Sequence, residues 1–221
     1  MTKKGKLITI EGISGCGKTT LLKYLNEKYN NVLCLGGYDI RDNSSELTKL
    51  CNKLCKQKVY FDLPLMCEFH FFLSELLYDV EKQVIPALKL GKTVIYDNYV
   101  TSILAVESAI AIFSLKSNAM EYVEYFKNTV DKLIKMKTIV QTDFTVLIDT
   151  NVDITIERLK NRGTYKNNYK TLIKLQRKIL ENYYSLLAEN EKNIVIFNNN
   201  TLNEFYSSID DVFDFLGEEN G

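Results

Sequence analysis

Residues 12 to 19 read Gly-Ile-Ser-Gly-Cys-Gly-Lys-Thr, which satisfies the spacing G-x-x-x-x-G-K-[ST]. Such a loop lets the backbone turn tightly and aim successive N–H groups at the oxygens of an anion, and the helix that follows adds the positive end of its dipole. The context agrees: an apolar run, KLITIE at 6–11, leads in, and a helical pattern leads out from Lys18. The chemistry implied is the holding of a nucleoside triphosphate. Gly12, Ser14, Gly15 and Gly17 supply the backbone cradle, with Thr20 beside it. Lys18 reaches the β- and γ-phosphates, and the Thr19 hydroxyl completes the shell of a Mg²⁺ ion. The competing reading, a glycine-rich turn with an incidental lysine, is disfavoured by the strand before it and the helix after it.

A phosphate cradle does not name the acceptor, but arginine usage narrows the search. Of the 28 Lys and Arg, only Arg41, Arg158, Arg162 and Arg177 are arginine, so lysine serves wherever a bare charge suffices. Arg158 and Arg162 sit four apart in TIERLKNRG, on one face of a helix that ends at Gly163. A pair of planar forks above the cradle would neutralise charge on a transferring phosphoryl group. The plainer reading is a solvated helix end, where basic residues are favoured anyway. Asp97 closes the run TVIYD, where it would accept hydrogen bonds from Mg²⁺-bound water, orient an acceptor or cap the next helix. Arg41 follows the second strand-like run and is a candidate for the acceptor's own phosphate. Of Phe69, Phe71, Phe72 and Tyr78, helical spacing puts most in the core and leaves one to stack on a planar base.

These residues need a scaffold that brings them to one edge. Near-continuous Val- and Ile-rich runs at 6–11, 31–35, 93–97, 144–149 and 193–197 read as strands buried on both faces. Helical patterns lie between and after them, at 18–30, 44–57, 64–90, 99–138, 152–162, 167–190 and 202–216, with Pro86 expected to end or kink the third. Strands joined by crossover helices make an α/β fold: a five-stranded parallel sheet with helices on both faces, whose ligands bind at the carboxyl ends of the strands. At 221 residues and 25.5 kDa the chain suits a single domain, 1–221. A formal net charge of +0 argues against a nucleic-acid or anionic-membrane partner, and the apolar runs suit neither a secretory signal nor a membrane span. The expectation is a soluble cytoplasmic protein with small-molecule partners. Cysteines at 16, 34, 51, 55 and 67 are an odd set that reads as packing residues in a reducing compartment. A zinc set of Cys51, Cys55, Cys67 and His70 is spaced tolerably but lacks a glycine knuckle, while Cys16, near a helix N-terminus, reads as an oxidation-sensitive thiol.

Three segments, ITIEGISGCGKTT, VIPALKLGKTVIYDNYVTS and FTVLIDTNVDITIERLKNRG, resemble the thymidylate kinase family of P-loop nucleoside-monophosphate kinases, over nearly the whole chain. The resemblance implies the P-loop NTPase fold and transfer of the ATP γ-phosphoryl group to a (deoxy)nucleoside monophosphate, dTMP first among candidates, with Mg²⁺ and in a homodimer. It makes Lys18, Asp97, Arg158 and Arg162 the catalytic set, the two arginines belonging to a lid at about 158–170. Thr19 and Asp97 then serve the metal; Arg41, Phe72, Asn98 and Tyr99 face the acceptor, Phe72 stacking on its base. Asn199, in the run 198–200, lies where adenine is held. The departures fall on the acceptor side. Asn98 stands where the family's Asp-Arg-Tyr motif has Arg, Ser14 where an acid addresses the sugar, and Leu76 where an Arg reads the thymine edge. Arg41, Glu75 and Glu107 are the substitutes at hand. Two further readings stay open: a kinase for another small acceptor, such as a nucleoside or modified nucleotide, and a nucleotide-binding protein with little turnover.

Overall fold

A computed structural model describes residues 5–29, 31–36, 63–115, 117–163, 169–188 and 192–218, the side chains to 214. Arg41, the helical pattern at 44–57, Cys51 and Cys55 lie outside the described residues. Five strands form one sheet: β1 (Leu7–Glu11), β2 (Val32–Gly36), β3 (Thr93–Asp97), β4 (Phe144–Asp149) and β5 (Asn193–Phe197). Their order is β2-β3-β1-β4-β5, every pair parallel. The register sets Ile10 beside Asp97 and Gly36 beside Asp97, so β1, β2 and β3 end together.

Alternation along β1 divides the core in two. Ile8 and Ile10 face a cluster with Leu21, Leu22 and Leu25 of α1 (Lys18–Lys28) and Leu175 and Ile179 of α7 (Tyr169–Leu187). Leu7 faces the other cluster, with Phe69, Leu73 and Leu76 of α2 (Leu65–Asp79) and Phe126 and Val130 of α5 (Ala119–Lys135). Burial on both faces is why the strands lack polar alternation.

The long helical pattern at 64–90 is interrupted. Val80–Val84 forms a π-helical turn between α2 and the short α3 (Ile85–Lys89), which holds Pro86 in its first turn. Buried Asp79 secures the junction by accepting from the Tyr96 hydroxyl at 2.8 Å and from Gln83 Nε2 at 3.0 Å. The pattern at 99–138 is two helices, α4 (Val100–Ser114) and α5, because Leu115 turns extended at φ −110°, ψ 122°. Apolar on all sides, α4 is covered by α2, α5 and α7, and the amphipathic α5 folds back upon it. Cys67 and His70 stand on the exposed face of α2, where His70 Nε2 meets the Tyr125 hydroxyl at 3.0 Å, so Cys67 is not the packing residue its sequence context suggested.

After β4, α6 (Val152–Asn161) is capped by Asn151, whose Oδ1 accepts from the Asp153 N–H at 2.8 Å. After β5, Thr201 and Glu204 form a reciprocal capping box at the start of α8 (Leu202–Glu218). These caps fix the two loops that flank the glycine-rich turn. Among the described residues, no helix is long and apolar enough to cross a membrane.

Candidate active site

The loop between β1 and α1 is held from outside by its carbonyl oxygens. Cys16 O accepts from Asn198 Nδ2 at 2.6 Å, from Thr150 Oγ1 at 3.2 Å and from Arg158 Nη1 at 3.5 Å. Arg158 also donates to Gly15 O and to Asn198 O, each at 3.3 Å, and Gln176 Nε2 donates to Ser14 O at 3.0 Å. In a trans peptide the N–H points opposite to the preceding C=O. Turning the Ser14 and Cys16 carbonyls outward therefore aims the Gly15 and Gly17 N–H groups into the concavity. Gly12 and Gly17, at φ 146° and 117°, have no room for a side chain: a Cβ would lie 2.7 Å from Ile148 O at the first and 2.5 Å from Asn198 Nδ2 at the second. Lys18 bends back across the loop, its Nζ 2.7 Å from Gly12 O and 3.3 Å from Ile13 O. Thr19 and Thr20 follow it in the first turn of α1, half-buried.

The two arginines expected to act on the phosphates differ. Arg158 is half-buried and bound to three carbonyls, while Arg162 is exposed at the end of α6 and makes no side-chain hydrogen bond among those described. Asn199 Oδ1 accepts from the Asn151 N–H at 2.6 Å, tying the loop after β5 to the start of α6. Its neighbour Asn198, in the same run 198–200, is the one that touches the glycine-rich turn. Cys16 is fully buried and its pKa is raised, chiefly by desolvation, so it is not the exposed, activated thiol that its position suggested.

Asp97 and Asn98 reach the same sheet edge. Asp97 is buried, and Asn98 takes the left-handed conformation at φ 61°, which Asn tolerates better than most residues. Tyr99 turns inward: its hydroxyl donates to Val140 O at 2.9 Å and its ring lies in the core against Tyr96. Phe72 is half-buried on α2 and packs at the margin of the second core. Leu76, one turn on, is buried within it.

Beneath Asn98 lies a buried polar node that the sequence did not announce. Ser102 Oγ contacts Glu11 Oε2, lies 3.1 Å from Asn98 Oδ1 and 2.7 Å from the Tyr183 hydroxyl. Glu11 ends β1 with no exposed surface, and burial, with Asp97's charge adding, pushes its carboxyl up to about 8 against the pull of Ser102 and Lys18. A second carboxyl, Glu107 of α4, is buried nearer α2; desolvation, reinforced by Glu68, raises its pKa, and its Oε2 has no hydrogen-bond partner. A charged residue closing an apolar strand, as in LITIE, was the available signal for Glu11.

The comparisons with known proteins agree with one another. Residues 10–209 match the family described as thymidylate kinase. A probable thymidylate kinase of Pyrococcus horikoshii is 30% identical over 190 residues, 83% of each chain. The thymidylate kinase of Legionella pneumophila is 26% identical over 217 residues, 98% of this chain and 97% of that one. Among solved structures, thymidylate kinase of Ehrlichia chaffeensis superposes with a TM-score of 0.62 at 20% identity, covering 96% of this chain and 99% of its own. That of Candida albicans gives 0.69 at 16%, covering 98% and 93%. The fold is thus that of the P-loop NTPases, the enzyme is a nucleoside-monophosphate kinase, and the chain belongs to the thymidylate kinase family.

Proposed function

We propose that the chain transfers the γ-phosphoryl group of ATP to a deoxynucleoside monophosphate, with dTMP the first acceptor to test. The observation that carries this reading is the outward anchoring of the Ser14, Gly15 and Cys16 carbonyls, which leaves the inner face of the turn to N–H donors and Lys18. That donor set fits a polyphosphate. Lys18 would leave the Gly12 and Ile13 carbonyls for the β- and γ-oxygens, exchanging neutral acceptors for charged ones. Mg²⁺, held by the Thr19 hydroxyl and through water by Asp97, would supply charge neutralisation at the transferring group. Arg158 keeps the turn in shape, and Arg162, at the end of α6, would close over the phosphates as part of a lid at about 158–170 within the single domain 1–221. Asn198 and Asn199 flank the adenine side. At the other end Asn98 meets the acceptor phosphate and Phe72 its base, with Arg41 a further contact. A cytoplasmic homodimer is the accompanying expectation from the resemblance.

A second acceptor is favoured by one observation. Leu76 offers no cation from α2, whereas Glu107 brings a buried carboxyl oxygen without a partner to the neighbouring helix. A base edge that sets an amino donor beside a ring nitrogen would suit that protonated carboxyl, which both donates and accepts. Both readings are tested by incubating the protein with ATP, Mg²⁺ and a panel of nucleosides and monophosphates, following ADP release. Turnover with dTMP alone supports the first, preference for an amino-bearing base the second, and no turnover with any acceptor overturns both.

A further inference from the structure

Helix α7 carries an amide in its core-facing stripe. Leu172, Leu175 and Ile179 are buried there, and Gln176 among them has no exposed surface. An amide taken out of water is costly unless its hydrogen bonds are met. Both ends of Gln176 are met: Nε2 donates to Ser14 O at 3.0 Å, and Oε1 accepts from Thr155 Oγ1 of α6 at 2.6 Å. The Ser14 carbonyl can only accept, so the nitrogen end must face the glycine-rich turn and the oxygen end the hydroxyl. We propose that Gln176 is a positioning residue for the nucleotide's phosphates: its amide, seated against Thr155, holds the Ser14–Gly15 peptide with the Gly15 N–H turned into the cradle.

This peptide needs a lock because its own residues do not supply one. Gly15 sits at φ 88°, and without a side chain its backbone takes either sign of φ at little cost. No larger residue can stiffen that position, since a Cβ on Gly15 would lie 2.9 Å from Thr155 O. A cation also lies across the turn. Lys18 Nζ already gathers Gly12 O and Ile13 O at 2.7 and 3.3 Å, so it would draw the Ser14 carbonyl inward as a further oxygen. A carbonyl turned in would oppose a phosphate and remove one N–H donor from the cradle. Gln176 opposes that pull from outside. Arg158 and Asn198 brace the Gly15 and Cys16 carbonyls, and Gln176 is the side chain that takes the Ser14 carbonyl.

The inference rests on the proposed donor reading, and two readouts separate them. The first needs no nucleotide: crystal structures of the unliganded wild type and of Gln176→Met, which keeps length and burial and removes the donor. The Ser14 carbonyl should face α7 in the wild type and Lys18 in the variant; the same outward peptide in both overturns the proposal. The second is calorimetry with Mg²⁺ and ADP, and separately with adenosine. Gln176→Met should weaken ADP about tenfold, as for loss of one hydrogen bond to a charged group, and leave adenosine, which has no phosphate, at the wild-type affinity. Unchanged ADP affinity overturns the proposal, and so does an equal weakening of ADP and adenosine, which general loosening would give. Thr155→Val, which removes the hydroxyl behind the amide, should weaken ADP about threefold with the same selectivity. It decides the matter if Gln176→Met does not fold, and wild-type ADP affinity in it then overturns the proposal. A wild type that binds no ADP overturns the donor reading instead, and the direction of the Ser14 carbonyl then decides the lock.

Discussion

Arg158 distinguishes bracing from catalysis. Its guanidinium donates to Gly15 O, Cys16 O and Asn198 O at 3.3–3.5 Å, so one side chain joins the glycine-rich turn, α6 and the loop after β5. Arg158→Lys keeps the charge and can reach at most one of these carbonyls. Losing two bonds at about 0.5–1.5 kcal/mol each costs about 1–3 kcal/mol, and a chain of this size loses about 2–4 °C of Tm per kcal/mol. The Cys16 carbonyl retains Asn198 and Thr150, so the turn loosens without collapsing. Arg158→Lys should therefore lower Tm measurably by scanning fluorimetry and weaken ADP binding by calorimetry, in addition to reducing kcat. Arg162→Lys, at an exposed site, should leave Tm and ADP affinity at wild-type values and lower only kcat. The sequence alone treats the two arginines as a pair acting on transfer; the structure separates them. An Arg158→Lys protein with wild-type Tm and ADP affinity would refute the brace.

Lys18→Ala should remove charge stabilisation of about 3–4 kcal/mol, a loss of about 10²–10³ in kcat that ADP-release assays would detect, and wild-type turnover in that variant would sink the donor assignment. Asn98→Arg should lower the dTMP KM if that phosphate binds at the edge, and impair the reaction if the pocket serves another acceptor; placing Arg at φ 61° should also cost about 1 kcal/mol in urea unfolding. For stability against pH, the Glu11 proton leaves the unfolded chain near 4.5 and the native chain near 8, so the unfolded state gains between those values and stability falls as pH rises through them. The slope is at most about 1.4 kcal/mol per pH unit; it is flat above 8, absent in Glu11→Gln, and a wild-type slope surviving in that variant would remove the effect from Glu11.

What could be read from the sequence follows from how local each cause is. The strands at 93–97, 144–149 and 193–197 were legible because burial on both faces leaves a continuous Val/Ile signature. The turn at 12–19 was legible because its glycines act on their own backbone. The break between α4 and α5 was not: no Gly or Pro marks residues 115–118, and what bends the chain there is the packing of one helix over another. The brace on Cys16 O was equally hidden, since its donors lie 134, 142 and 182 residues away and converge only when β4, α6 and β5 are stacked beside β1.

The same distinction explains why the acceptor side resists a reading by motif. The donor side uses backbone geometry, which a short spacing encodes. At the acceptor edge, the contact available at Asn98 depends on a hydrogen supplied by Ser102, whose own bonding depends on Glu11 from β1 and Tyr183 from α7. An amide is a weaker handle on a phosphate than a guanidinium, but which of its ends faces outward can be set by its neighbours, whereas an always-charged arginine offers only donors. With Asn98 as the proposed contact in place of the expected Arg, control of the acceptor would pass from the residue itself to the buried groups behind it. Their identities, more than the residue at 98, decide what the edge can hold.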